Sequence, residues 1–372
     1  MFAFLETYII QVITAQRKGG FPSFIKGVLW ILSRIYQAII FVRNWAYDQG
    51  LFRQYNPPVP VVMSIGNLVA GGTGKTPLTL ILAQEFCAAY HTVILSRGYR
   101  SQAERLSSPV ILSHGDGHGP ILPVSFCGDE PYMLAKNLPE VVVVVGKDRR
   151  KGAILAAKTG GQLLLLDDGM QHRRLARDFE VVVMDGSNLF GEGYYLPRGF
   201  LRESLKSLAR ADIIILNNLH SDEAYEELKT QLAVYTPAPV VATRANVCGV
   251  WSLVDNSPVS LKGVKIGVFC AIAHPDYFLQ TVKELGAEVV ASHFERDHLD
   301  FKAQELNNFA KLCNNCGADF LVCTEKDQVK LVEPQKLCLP VVWVQIQLQI
   351  VQGIYEWNTF IAEVKSDLQN RI

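Results

Sequence analysis

The stretch from Val59 to Pro77 limits this chain more than any other. A short apolar run, VPVVMSIG, leads through Asn67–Ala70 into Gly71-Gly72-Thr73-Gly74-Lys75-Thr76, and a helical run, Leu78–Ala89, follows. A strand that ends in glycines and then opens a helix leaves several backbone N–H groups converging on one spot, which suits an anion whose charge is spread over several oxygens. In such a phosphate cradle Lys75 reaches the β- and γ-phosphates and the Thr76 hydroxyl holds Mg²⁺. The pattern G-x-x-x-x-G-K-[ST] asks for glycine where this chain has Val69, and Gly71 and Gly72 supply the missing freedom. The plainer reading is a glycine-rich turn that binds nothing; the strand before it and the helix after it weigh against that.

At 372 residues and 49% hydrophobic, the chain has core enough for about two domains. Lys+Arg and Asp+Glu balance at 36 each, so no net field draws the molecule to nucleic acid and any electrostatic recognition is local. Nothing in the sequence calls for an obligate protein partner. Of eight cysteines, Cys313 and Cys316 lie close together, without the second pair a four-ligand zinc site needs. They read as mostly buried thiols in a reducing compartment. A redox role for Cys313–Cys316 lacks thioredoxin-like surroundings.

The first 56 residues have a different character. Val28–Val42 is heavily apolar yet interrupted by Ser33, Arg34 and Gln37, too short and too polar for a clear membrane span, which takes about 20 apolar residues. Arg17, Lys18, Lys26 and Arg43 flank it, and Trp30, Tyr36 and Trp45 are interface-favouring residues. The Lys18-Gly19-Gly20 break, with no cleavage site nearby, argues against a removable signal peptide. The expectation is a helical hairpin lying on a membrane surface, peripheral or monotopic, against the alternative of two amphipathic helices packed on the main body.

Beyond Pro57-Pro58-Val59-Pro60 the pattern alternates apolar strands with helical runs. Val61–Ile65, Thr92–Leu95, Val141–Val145, Leu163–Leu166, Val181–Met184 and Ile213–Leu216 are apolar throughout, as strands buried on both faces of a parallel sheet are. A second set, Gly263–Phe269, Glu288–Ser292, Phe320–Cys323 and Val341–Val344, alternates with helices at Pro275–Leu285 and Lys302–Asn314. The fold class is therefore α/β: a P-loop NTPase-type, mainly parallel domain over 57–243, a smaller α/β domain over 244–349, and the helical segment 1–56. The helix within 350–372 is expected to pack back on the first domain.

Four further constellations would give the phosphate loop something to act on. Leu163–Leu166 feeds Asp167-Asp168-Gly169-Met170-Gln171-His172, a strand-end carboxylate of the kind that holds Mg²⁺ beside a phosphate loop; the alternative is a capped Asp-Gly turn. Leu196-Pro197-Arg198-Gly199-Phe200-Leu201-Arg202-Glu203 offers arginine forks for phosphate and a glutamate for the Mg²⁺ shell, or simply a solvated helix start. In Cys127-Gly128-Asp129-Glu130-Pro131, Pro131 is placed to open a helix. Asp129 either caps that helix or serves as a base, if the fold brings it to the γ-phosphate. Arg296-Asp297-His298, between strand and helix, reads most simply as a solvated loop.

Taken in order, GNLVAGGTGKTP (66–77), LSRGYR (95–100), GDEP (128–131), DDGMQH (167–172), LPRGFLRE (196–203), RDH (296–298) and TEKD (324–327) resemble the signatures of the tetraacyldisaccharide 4′-kinases over residues 50 to 330. Met170, Phe200 and His274 depart from that pattern, and none removes a proposed catalytic group. The resemblance implies a P-loop kinase of two α/β domains around a cleft. Such an enzyme carries the γ-phosphate of ATP to the 4′-hydroxyl of an acylated glucosamine disaccharide 1-phosphate during lipid A assembly, on the cytoplasmic face of the bacterial inner membrane.

It further implies that Asp129, paired with His298, is the catalytic base, with Lys75 beside the phosphates. Thr76, Asp168 and Glu203 would form the Mg²⁺ and ATP environment with Asp167 close by, while Arg97, Tyr99, Gln171, His172 and Arg202 line the acceptor region. Cleft closure would complete the site. The alternatives are a membrane-associated nucleotide switch or metallochaperone-type GTPase, for which TEKD is the nearest approach to a guanine-reading motif, and a non-catalytic scaffold, which would not need Asp129, Asp168, Glu203 and His298 together.

Overall fold

The computed structural model describes residues 2–219, 221–297, 299, 301–331 and 334–372, with side chains from residue 8 onward apart from Pro334. Helices α1 (Phe2–Ile13) and α2 (Gly20–Asp48) come first. Then follow β1 (Val61–Gly66), α3 (Lys75–Cys87), β2 (Thr92–Ser96), β3 (Val110–His114), α4 (Val124–Cys127), α5 (Asp129–Asn137), β4 (Val142–Val145), α6 (Arg149–Lys158) and β5 (Leu163–Asp167). Next are β6 (Phe179–Asp185), β7 (Ile213–Asn217), α7 (Asp222–Leu232), β8 (Val240–Ser252), β9 (Lys265–Cys270) and α8 (Pro275–Glu284). The chain closes with β10 (Glu288–Phe294), α9 (Ala303–Asn315), β11 (Phe320–Thr324), α10 (Glu325–Gln328), β12 (Val341–Gln352) and α11 (Ile354–Arg371). Two compact units result, one from residues 1–75, 156–244 and 350–372, the other from 76–155 and 245–349.

In the first unit β7, β6, β1 and β5 lie side by side in that order, all parallel. Every residue of these strands is buried, as their uninterrupted apolar runs require. At about 2 kcal/mol per buried leucine, Leu163–Leu166 alone fix β5 in the sheet interior. Helix α11 packs on this unit, burying Trp357, Phe360, Ile361, Val364 and Leu368 at helical spacing. The Phe360 ring meets Phe179 edge-on at 5.8 Å, and Arg371 reaches the Asp178 carboxylate at 2.6 Å.

Helix α2 is longer than its apolar core suggested, because neither Gly27 nor Ser33 breaks it. It is the one helix among the described residues long and apolar enough to cross a membrane, by length and composition. One face buries Leu29, Ser33, Ile40, Asn44 and Ala46 against the unit. The rest is left bare: Phe21, Phe24, Ile31, Ile35, Ile39 and Phe41 are each more than half exposed. The hairpin turn is closed by Arg17 over the Tyr8 ring at 4.8 Å.

In the second unit β2 pairs with β4 in parallel, and β3, a short strand without an apolar-run signature, adds to β4 antiparallel. A further group runs β10, β9, β11, β12, β8. Alternate residues of β9 and β11 enter different cores: Val268 and Val322 pack with Phe278 and Val282 of α8, while Phe269 and Leu321 pack with Phe309 and Cys313 of α9. Helices thus cover both faces. At Gly267 any side chain would collide with the Cys313 sulfur. Burial, then the neighbouring thiols Cys316 and Cys338, push the Cys313 thiol up to about 11, the opposite of what a redox pair needs.

Candidate active site

Register sets the site in the first unit. Ile65 of β1 pairs with Asp167 of β5, so the acidic strand end lies level with the start of the glycine loop. Asn67, fully buried, organises that loop from inside, its amide donating to the Val69 carbonyl at 2.7 Å and to the Thr73 hydroxyl at 3.0 Å. Asn217, at the end of β7, donates to the Thr73 carbonyl at 2.7 Å. Gly74, at φ +88°, has no room for a side chain, because a Cβ there would overlap the Asn217 amide. The valine where the motif asks for glycine has a structural cause: Val69 bridges Leu201 like a strand residue, flanked by Ala70 N–H to the Phe200 carbonyl and Arg202 N–H to the Leu68 carbonyl, each 2.7 Å. Extended backbone needs no glycine.

Asp168 sits just past β5 at φ +52° and gathers two cations. Lys75 Nζ approaches its Oδ1 at 3.5 Å, while the Arg202 guanidinium grips both oxygens, at 2.8 and 3.1 Å, and also donates to the Asn67 side chain. Gln171 donates to the Asn67 carbonyl at 2.8 Å, and the His172 N–H caps Gly169 at 2.8 Å. Asp167 itself is buried. Lys75, Asp168, Arg202 and Gln171 therefore share one edge of the glycine loop, and Lys75 opens α3 with Thr76 next to it.

Glu203 does something other than expected. Its side chain is wholly buried, and both carboxylate oxygens are taken: Arg43 of α2 donates at 2.5 Å, Asn44 at 2.7 Å and Ser207 at 3.3 Å. Through these bonds it anchors α2. Tyr36 adds a second tie, donating to the Arg202 carbonyl at 3.2 Å, and Arg173 holds the helix end through the Asn44 carbonyl and Asp48. Among the described residues no three His, Cys, Asp or Glu side chains gather as a metal cage. The hydroxyl of Thr76 and the carboxylate of Asp168 are hard oxygen donors of the kind Mg²⁺ takes, with one or two protein ligands and the rest of the shell filled by water and phosphate.

In the second unit α5 begins at Asp129, not at Pro131, so the acidic pair forms the first helical turn, where proline's missing N–H costs nothing. Asp129 is buried, and its Oδ1 accepts the Glu130 N–H at 3.0 Å. Lys326, on α10, stands among three carboxylates: Asp297 at 2.7 Å, Glu130 at 3.4 Å and Asp129 at 3.8 Å. Burial works against its charge, but Glu130, Asp129 and Asp297 outweigh that and hold it above the ordinary lysine value. Arg97 pairs with Glu104 at 2.7 Å, and Tyr99 is half exposed with Arg100 stacked over its ring at 5.2 Å. His298 lies outside the described residues. Asn67, Asn217, Arg43 and Lys326 escaped the sequence reading. Only Lys326 carried a signal, a lysine set between two acids directly after an apolar strand.

Residues 25–364 match the sequence model of the family described as tetraacyldisaccharide-1-P 4′-kinase. The chain belongs to that family. Among curated members of the tetraacyldisaccharide 4′-kinase family, one from Halothermothrix orenii is 35% identical over 342 residues, covering 88% of each chain. Another, from Anaeromyxobacter dehalogenans strain 2CP-1, is 38% identical over 325 residues, covering 85% of this chain and 84% of its own. A crystal structure of LpxK from Aquifex aeolicus, described as in complex with ATP, superimposes with a TM-score of 0.72 at 28% identity, covering 92% of this chain and 99% of that one.

Proposed function

We propose that this chain transfers the γ-phosphate of ATP to the 4′-hydroxyl of a tetraacyl glucosamine disaccharide 1-phosphate, the lipid A precursor, giving lipid IVA at the cytoplasmic face of the bacterial inner membrane. The observation that carries the reading is the convergence of Lys75, Asp168 and Arg202 on the glycine loop. Two cations already assembled around one carboxylate can turn to a polyphosphate without a large reorganisation, which is how phosphoryl transfer is catalysed in the absence of covalent chemistry. Gly71, Gly72, Thr73 and Gly74 hold the phosphates by backbone N–H groups, and Lys75 follows the charge as it moves to the β–γ bridge. Mg²⁺, held by Thr76 and Asp168, would neutralise charge on the β- and γ-oxygens. Asp129 accepts the proton of the 4′-hydroxyl as that oxygen attacks phosphorus in line and ADP leaves, with His298 as its partner. Arg97, Tyr99, Gln171, His172 and Arg202 contact the acceptor. In this division of labour residues 57–243 make up the kinase domain and 244–349 the smaller one. The bare face of α2 lies on the membrane.

The nucleotide-switch reading loses its one motif, because Asp327 is buried and occupied by the Thr324 hydroxyl at 2.6 Å, the Ala271 N–H and Lys330. The test is transfer of labelled γ-phosphate to the lipid acceptor in detergent micelles. A labelled bisphosphorylated lipid is the expected product. Hydrolysis of ATP or GTP with no labelled lipid would return the switch to first place.

A further inference from the structure

We infer that Lys326 is a positioning residue for the transfer, clamping the carboxylate of Asp129 on α5 to Asp297, which follows β10. This rests on the reading of Asp129 as the base.

The geometry accounts for all four residues of TEKD. Thr324 caps α10 by accepting the Asp327 N–H at 3.2 Å. Glu325 accepts from Asn137 of α5 at 2.6 Å, and Gln328 accepts from Lys136 at 3.4 Å, so α10 is docked along α5 on both sides of Lys326. Asp327 points the other way, onto the Ala271 N–H after β9. Lys326 alone faces the start of α5, where its ammonium lies within 4 Å of Asp129, Glu130 and Asp297. Its side chain is 15% exposed and that of Asp129 is 9% exposed, so water screens this contact poorly. Lys330 donates to the Leu299 carbonyl at 3.0 Å, a second tie two residues beyond Asp297.

Other charged groups stand nearby. Lys136 is directed to Gln328 and lies near Glu325, and Arg296 precedes Asp297. The Cys127 thiol, two residues before Asp129, is pushed up to about 12 by burial and stays neutral. With its ammonium within 4 Å of three carboxylates, Lys326 favours their charged forms and fixes where the Asp129 carboxylate points. Removing it leaves like charges facing one another, which disfavours the charged form of Asp129 and frees its carboxylate to swing.

The experiment is the pH dependence of kcat for lipid phosphorylation by the full chain in detergent micelles, for the parent protein, Lys326→Met, Lys326→Arg and Asp129→Asn. Lys326→Met is expected to lose about 10- to 100-fold in kcat near neutrality, with the KM for ATP within about twofold, and to move the acid limb up by about 1–2 pH units. Lys326→Arg restores most of the rate and the limb. The double variant Lys326→Met/Asp129→Asn turns over no more slowly than Asp129→Asn alone. If Lys326→Met does not fold, Asp297→Asn answers the same question, because losing a competing carboxylate moves the acid limb down. An acid limb that stays in place in Lys326→Met, or does not fall in Asp297→Asn, overturns the clamp while Asp129→Asn remains inactive. Full turnover by Asp129→Asn overturns the base and the clamp together.

Discussion

Glu203→Ala separates the structural role of this residue from the metal role its motif suggested. The carboxylate is wholly buried and accepts hydrogen bonds from Arg43, Asn44 and Ser207. Without it, the buried Asn44 amide and Ser207 hydroxyl lose a partner, at about 1 kcal/mol or more each. Arg43, whose side chain is 30% exposed, recovers part of its loss from water, which keeps the pair below the 3–5 kcal/mol typical of a fully buried break. Arg210 also loses an anionic neighbour that offsets its burial. The sum is about 2–4 kcal/mol, or roughly 4–16 °C in the melting of a unit this size. Thermal melts in detergent should show that drop, while the Mg²⁺ concentration for half-maximal turnover stays within about twofold. An unchanged melt together with a tenfold higher Mg²⁺ requirement would refute the anchor and restore Glu203 to the metal shell.

Lys75→Met should cut turnover by about 10³-fold or more and weaken ATP binding in equilibrium dialysis, with the melt unchanged. Asp129→Asn should remove most of kcat while the ATP Kd stays within about twofold, measured by the same dialysis. Replacing Ile31, Ile35 and Ile39 together by serine should move the protein from the membrane to the soluble fraction without lowering the melting temperature, since all three are more than half exposed. Asp212 is held above its ordinary value of 3.8, chiefly by burial and against the Glu180 N–H bond, with Glu180 and Glu363 adding to the rise. The folded state therefore keeps this proton to a higher pH than the unfolded chain does. The contribution of Asp212 to stability is greatest in acid and falls as pH rises through the folded value. Urea melts should find Asp212→Asn stabilising at neutral pH, with the gain vanishing toward pH about 4.

The strands buried on both faces were legible because their runs are long and purely apolar, as at Leu163–Leu166. β3 was not: VILSH is a five-residue antiparallel partner, half-buried at one end and exposed at His114. The far half of β12 did carry a signal, the alternation QIQLQI, matched by its mixed exposure, but its glutamines mask it to a search for apolar runs. At the site, the glycine loop, Lys75 and Asp168 follow from local spacing. Glu203 does not, because its partners Arg43 and Asn44 lie 160 and 159 residues away. Charge complementarity over that separation leaves no local pattern. For the same reason Lys326 shows in the sequence only as part of a motif, since Glu130 and Asp129 lie on another helix and Asp297 beyond β10.

The anchoring of α2 turns that helix into a ruler. Arg43 and Asn44 fix one end to the residue beside Arg202, and a continuous helix runs back from there to the exposed Ile31. Thirteen residues at about 1.5 Å each span roughly 20 Å. Ile31 and the apolar side chains before it are thereby held at a set distance from Arg202 along the helix. Inserting one turn between Ile31 and Arg43 would carry Ile31 and the residues before it about 5 Å farther from Arg202 along the helix axis, leaving Glu203 and its partners in place.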